Sequence, residues 1–193
     1  MVIKRNDKQV HETIKMDNGI VVHFYDNTDS IDNLKKCEEE YKKDYENHPC
    51  LLYNIDYAYA KAERMQAEGD IKGAEKFLSS EIDGLTDITT EPNTLLRMMD
   101  ILTLEAELLL RLKRPSEALT YAERVNRIAY DHFEDTVEML YASELYGNCL
   151  QACGKDIDAK EIYTDTLNEI EHVIADLEDL RDGIKANLEE LKA

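Results

Sequence analysis

The sequence predicts an all-α protein: an α-α superhelix of stacked helix pairs, with a short N-terminal β-hairpin arm and a C-terminal capping helix. Three observations carry this. The 193 residues include only 7 Gly and 3 Pro, so few positions interrupt a helix. From Asp29 onward, apolar residues recur every three or four positions, the period of a half-buried helix. Three segments each carry two small residues twelve positions apart: Ala62 and Ala74, Ala106 and Ala118, Gly147 and Ala159.

Composition bounds the class. Apolar residues make up 43% and charged residues 34%, which fits one globular domain with a sizeable core. The formal net charge of -19 repels phosphate backbones, argues against nucleic-acid binding and favours basic or neutral partners. The same acidity also serves plain solubility. MVIKRNDKQV at the start has no apolar core, so no secretory leader is expected. No apolar run approaches the ~20 residues of a membrane span. A cytoplasmic protein with four reduced cysteines is the expectation.

Residues 1–28 form the expected arm. ETIKMDNGIVVHFYDN holds two β-rich runs, Glu12–Met16 and Ile20–Tyr25, around Asp17-Asn18-Gly19, a strong hairpin signal. A lone hairpin is marginal in water, so it must lie on the helical body, join another sheet or stay partly mobile. Residues 1 to about 9 read as a polar tail.

Residues 29–193 form the helical domain. Ile31, Leu34, Cys37, Tyr41 and Tyr45 mark a first helix, capped by Asp29 or Ser30 and stopped near His48-Pro49. Further helices are predicted at about 50–68, 71–83, 94–112, 115–130, 135–153 and 156–174. The breaks fall at Gly69-Asp70, TDITTEPN, Lys113–Pro115, Asp131 and Gly154. The last part of the chain carries a stripe of Ile170, Val173, Leu177, Leu180 and Ile184 that slips out of heptad register at Asn187, and a capping helix is expected at about 175–193. A cap on the preceding pair is the main reading. A homodimer through this stripe is the alternative, with Asn187 setting register.

The small residues follow the logic of an αα-hairpin. They let two helix backbones approach, and Met65, Leu109 and Leu150 interdigitate beside them. The turn falls at Gly69, Lys113 and Gly154. The third unit reads Tyr146-Gly147-x-x-Leu150, then Ala159-x-x-x-Tyr163. This pattern resembles the tetratricopeptide repeat, Trp-x-x-Leu-Gly-x-x-Tyr then Ala-x-x-x-Phe, over about residues 50 to 174. Lys61 and Glu105 stand where that family has leucine, and the closing proline is missing. The second small residues lie 44 and 41 positions apart, against about 34 in the standard repeat. The longer-helix arrays of kinesin light chains and some bacterial peptide-sensing regulators are similar in this respect.

The resemblance implies a tetratricopeptide-like solenoid whose first helices line a concave groove. Carried over, the groove residues are Asp56, Tyr59, Glu63 and Gln66; Asp100, Thr103, Glu107 and Leu110; Tyr141, Glu144, Asn148 and Gln151. Family members that clamp acidic chaperone tails use Lys, Arg and Asn there. Here only Asn148 fits, while Glu63, Glu107 and Glu144 oppose it. A basic or neutral protein segment is the implied partner.

No chemistry stands out. Cys149 and Cys153 share a helix face but lack the turn of a zinc knuckle, and core packing is expected of them. No histidine pairs with a nucleophile, no phosphate loop is present, and no calcium-loop spacing occurs. No catalytic residue, metal or cofactor is expected. The function expected is a non-catalytic protein-interaction scaffold. The alternatives are a small acidic inhibitor that blocks a basic surface as a nucleic-acid mimic does, and a peptide-sensing regulator.

Overall fold

The computed structural model describes residues 10–19, 21–25, 30–85, 90–134 and 136–190. The expected tail, the Asp29 cap, Ile20 and residues 86–89 of the TDITTEPN break lie outside them. A two-stranded antiparallel sheet, β1 (Val10–Lys15) and β2 (Val21–Tyr25), precedes seven helices among the described residues. These are α1 (Ile31–Asn47), α2 (Leu51–Ala67), α3 (Ile71–Ile82), α4 (Pro92–Arg111), α5 (Pro115–His132), α6 (Val137–Ala152) and α7 (Asp156–Glu190).

Helix ends follow local capping chemistry. The Ser30 hydroxyl accepts from the Asn33 amide, and the Asp70 carboxylate accepts from the Gly73 amide at 3.0 Å. Glu91 accepts from the Asn93 and Thr94 amides, so α4 begins two residues before the expected start, with Pro92 in its first turn. The Thr94 hydroxyl also donates to Glu91 at 2.6 Å, and this bond, followed by those from the amides, holds the Glu91 carboxyl below its ordinary range.

The turns after α2, α4 and α6 are built alike. Gly69, Lys113 and Gly154 all take positive φ, at 87°, 59° and 75°. In each turn the next amide, of Asp70, Arg114 or Lys155, donates back to Met65, Leu109 or Leu150 at 2.9 to 3.0 Å. This is the six-to-one bond of a left-handed C-cap, and it favours glycine. Lys113 is the exception, and its side chain reaches Asp17 at 3.8 Å. Lys113→Gly is expected to stabilise the fold by up to about 1 kcal/mol in urea unfolding, because glycine relieves the left-handed strain. The exposed ion pair it removes contributes less.

Small residues set the helix spacing. Ala62, Ala74, Ala106, Ala118 and Ala159 are buried, and a Cβ on Gly147 would lie 2.5 Å from the Tyr163 ring. Gly147→Ala should therefore cost about 1–3 kcal/mol by overpacking. Gly183→Ala meets no atom within 4 Å and is the matched control, expected to be neutral or stabilising.

Each helix packs on its neighbours in sequence, and α4 also packs on α2 and, less extensively, on α6. This makes α4 the central element. Its consecutive residues Leu108, Leu109 and Leu110 are all at most 1% exposed, so α4 is covered over more than half of its circumference at that level. The hairpin turn contributes there. Met16 belongs to the same buried cluster, Ile14 packs against it, and the Asn18 amide donates to the Ala152 carbonyl at 3.0 Å. Of the three fates open to the hairpin, docking on the helical body is the one observed. Leu110 corrects the groove assignment: it is core, because the chain closes over the end of α4.

Two departures from the tetratricopeptide pattern have different outcomes. The Lys61 ammonium lies 4.1 Å from the Phe77 ring centroid, a cation–π contact from α2 to α3. Glu105 is 1% exposed, and neither carboxyl oxygen has a hydrogen-bond partner among the described residues. Burial, reinforced by Glu75, pushes its carboxyl up to about 8. The nearby Arg114 is already engaged with Glu75 at 2.7 Å and Glu117 at 2.5 Å.

The C-terminal end differs from expectation. The helices expected at 156–174 and about 175–193 are one continuous α7 of 35 residues. No Gly or Pro lies between Gly154 and Gly183, so nothing stops the helix at 174. The far part does not cap the preceding pair. α6 has only 16 residues, and every side chain from 174 to 185 is exposed.

Candidate functional site

The residues nominated from the sequence separate into three places. Asp56, Tyr59, Glu63 and Asp100 converge on one cavity of about 190 Å³ between α1, α2 and α4. Thr103 and Glu107 continue the stripe along α4. Tyr141, Glu144, Asn148 and Gln151 lie on α6, beyond that cavity.

Helical spacing builds the α2 wall. Asp56, Tyr59 and Glu63 fall at steps of three and four and share a face. Tyr59 donates its hydroxyl hydrogen to Glu63 at 3.2 Å. From α4, Arg97 pairs with Asp56 at 3.2 Å and with Asp100 at 3.1 Å. The third wall is α1, through Leu34, Cys37 and Tyr41. It is held to α2 by Arg64, which bonds both Glu38 and Glu68, and by Lys35 with Glu68 at 3.1 Å.

The cavity favours positive charge. Three carboxylates, Asp56, Glu63 and Asp100, face one guanidinium, Arg97. Burial raises the carboxyls of Asp56 and Asp100 above their ordinary range, with Arg97 opposing in both cases. The Tyr59 phenol is pushed well up by burial and by the surrounding Glu63, Asp100 and Glu107. A cation placed there would ease the desolvation and mutual repulsion of these acids. Tyr41 and Tyr59 add aromatic side chains to the lining.

The α6 group behaves differently. Asn148 was expected to point into the open groove. Instead it accepts a 2.7 Å hydrogen bond from the Tyr163 hydroxyl of α7, so it serves the α6–α7 contact. The Tyr163 phenol is raised to about 12 by burial, then by Glu144. Gln151 lines a shallow depression with Ala159, Tyr163 and Leu167. Tyr141 and Glu144 are exposed. Gln66, half-buried, accepts from Arg111 at 3.1 Å.

Arg97 and the α1 wall were missed from sequence. The apolar series Leu34, Cys37, Tyr41 signals an amphipathic α1, but a period does not say which helix that face meets. Cys149 is fully buried and its thiol is pushed up to about 12 by burial, as suits a core residue. Cys153 packs against the same core. Among the described residues, no helix is long and apolar enough to cross a membrane.

No family model matches the chain, and neither a curated protein nor a solved structure does.

Proposed function

We propose that this chain is a non-catalytic interaction scaffold, a short tetratricopeptide-like stack that receives a basic segment of a partner protein. The supporting observation is the acidic-aromatic cavity between α1, α2 and α4, with Glu107, itself paired with Arg111 at 3.7 Å, further along α4. Its size and lining suit one lysine or arginine side chain, with the rest of the segment lying along the exposed acids. The similar turns after α2, α4 and α6 support the repeat reading. Free cysteines at 37, 50, 149 and 153 suit a reducing, cytoplasmic setting.

Affinity capture with quantitative mass spectrometry tests this, comparing the natural chain with a Glu63→Lys, Glu107→Lys, Glu144→Lys variant. Partners carrying exposed lysine or arginine segments should be lost by at least tenfold from the variant. Capture of the same partners at unchanged affinity would remove the groove from consideration. Competition of capture by heparin would favour the charge-mimic reading, in which the whole acidic surface blocks a basic one.

A further inference from the structure

Among the described residues, every α7 side chain from 174 to 185 is exposed. Packing against α6 ends near Val173, and residues 174–190 continue for about 25 Å as a single helix. Ile174, Leu177, Leu180 and Ile184 are 52–60% exposed along this stretch. With Ile170 and Val173 they make one stripe, because steps of three and four keep them on the same side. Isolated apolar residues on a surface are ordinary, but a contiguous stripe on an unsupported helix marks a contact surface.

Charge decides what kind of helix fits. Residues 165–185 hold seven carboxylates against Arg181 and Lys185. Both cations are already engaged within the helix: Arg181 bonds Asp182 at 3.0 Å, and Lys185 bonds Asp182 at 3.2 Å. Glu169 and Asp176 border the stripe on one side and Glu171 on the other. None of the three has a cationic partner among the described residues. A second copy would bring the same acidic borders and the same net charge of -19. A basic helix would neutralise both borders while covering the stripe.

We infer that the α7 overhang is a second docking surface, which takes a basic amphipathic helix of another protein. The contact is helix on helix, with apolar residues at the seam and lysine or arginine at its edges. It lies at the opposite end of the helix series from the α1–α2–α4 cavity and does not depend on it.

The test uses the full chain and two designed 28-residue peptides. Both have leucine at the seam; one has lysine and the other glutamate at the flanking positions. In fluorescence anisotropy at 0.15 M salt, the lysine peptide should bind at least tenfold more tightly than the glutamate peptide. Leu177→Asp with Leu180→Asp should weaken the lysine peptide by at least tenfold. That variant adds two negative charges, so attraction by charge alone would instead tighten binding. Glu169→Lys with Asp176→Lys leaves the stripe intact and should shift preference toward the glutamate peptide. Equal or tighter binding of the lysine peptide by the Leu177→Asp, Leu180→Asp variant would overturn the inference. So would a stable dimer of the natural chain in sedimentation equilibrium that this variant converts to monomer, since the occupant would then be a second copy.

Discussion

Glu105→Leu is expected to stabilise the protein by several kcal/mol at pH 8 and to flatten its stability across the pH range. The folded carboxyl titrates near 8 and the unfolded one near 4.5. Between those values the folded chain holds a proton that the unfolded chain has released, so stability falls as pH rises from about 4.5 to 8. At about 1.4 kcal/mol per unit, the full loss is on the order of 3–5 kcal/mol. Leucine removes it and leaves no polar atom without a partner. Glu105→Gln should also flatten the profile but gain less, because its amide is as poorly matched to the site as the acid. Urea unfolding at pH 5, 7 and 8.5 measures all three proteins. An unchanged slope in Glu105→Leu would mean that Glu105 does not titrate as its burial requires.

Leu109→Ala and Met16→Ala should separate the helical body from the hairpin. Leu109 is 1% exposed near the C-terminal end of α4, inside the buried cluster shared with the neighbouring helices. Its truncation should cost about 3–5 kcal/mol, at the upper end of the range for buried leucines. Met16 is nearly as buried, at 4%. Its cost is bounded, however, by the free energy of docking the hairpin, since the arm can leave while the helices stay folded. A loss of no more than about 2 kcal/mol is expected, with β1 and β2 amides exchanging faster and helix amides little changed. If Met16→Ala costs as much as Leu109→Ala and speeds exchange throughout, the hairpin and helices are one cooperative unit.

Most helix termini were legible because they depend on neighbours in sequence. Ser30, Asp70 and Pro115 act within one turn of the helices they begin, and Gly69 and Gly154 within one turn of those they end, whereas Pro92 reads as part of the break before α4. The hairpin was legible for the same reason, through Asp17-Asn18-Gly19. The candidate site was partly legible. Asp56, Tyr59 and Glu63 share a face by spacing alone, and Asp100 was found by carrying that spacing to α4. Arg97 was not, because its role comes from Asp56, forty-one positions earlier in the chain. Glu105 was visible as a departure from leucine, but its lack of a partner depends on Arg114 being engaged elsewhere.

The sequence by itself therefore determined the all-helical class, the turn positions and the acidity of one helix face. These follow from capping, backbone strain and composition, which act over a few residues or over the whole chain at once. Tertiary structure alone decided that α1 walls the cavity, that Leu110 is core, that Asn148 turns to Tyr163, and that α7 runs past the end of α6. Each of those depends on which surfaces meet. Several surfaces of one periodic helix are chemically similar, and only packing selects among them.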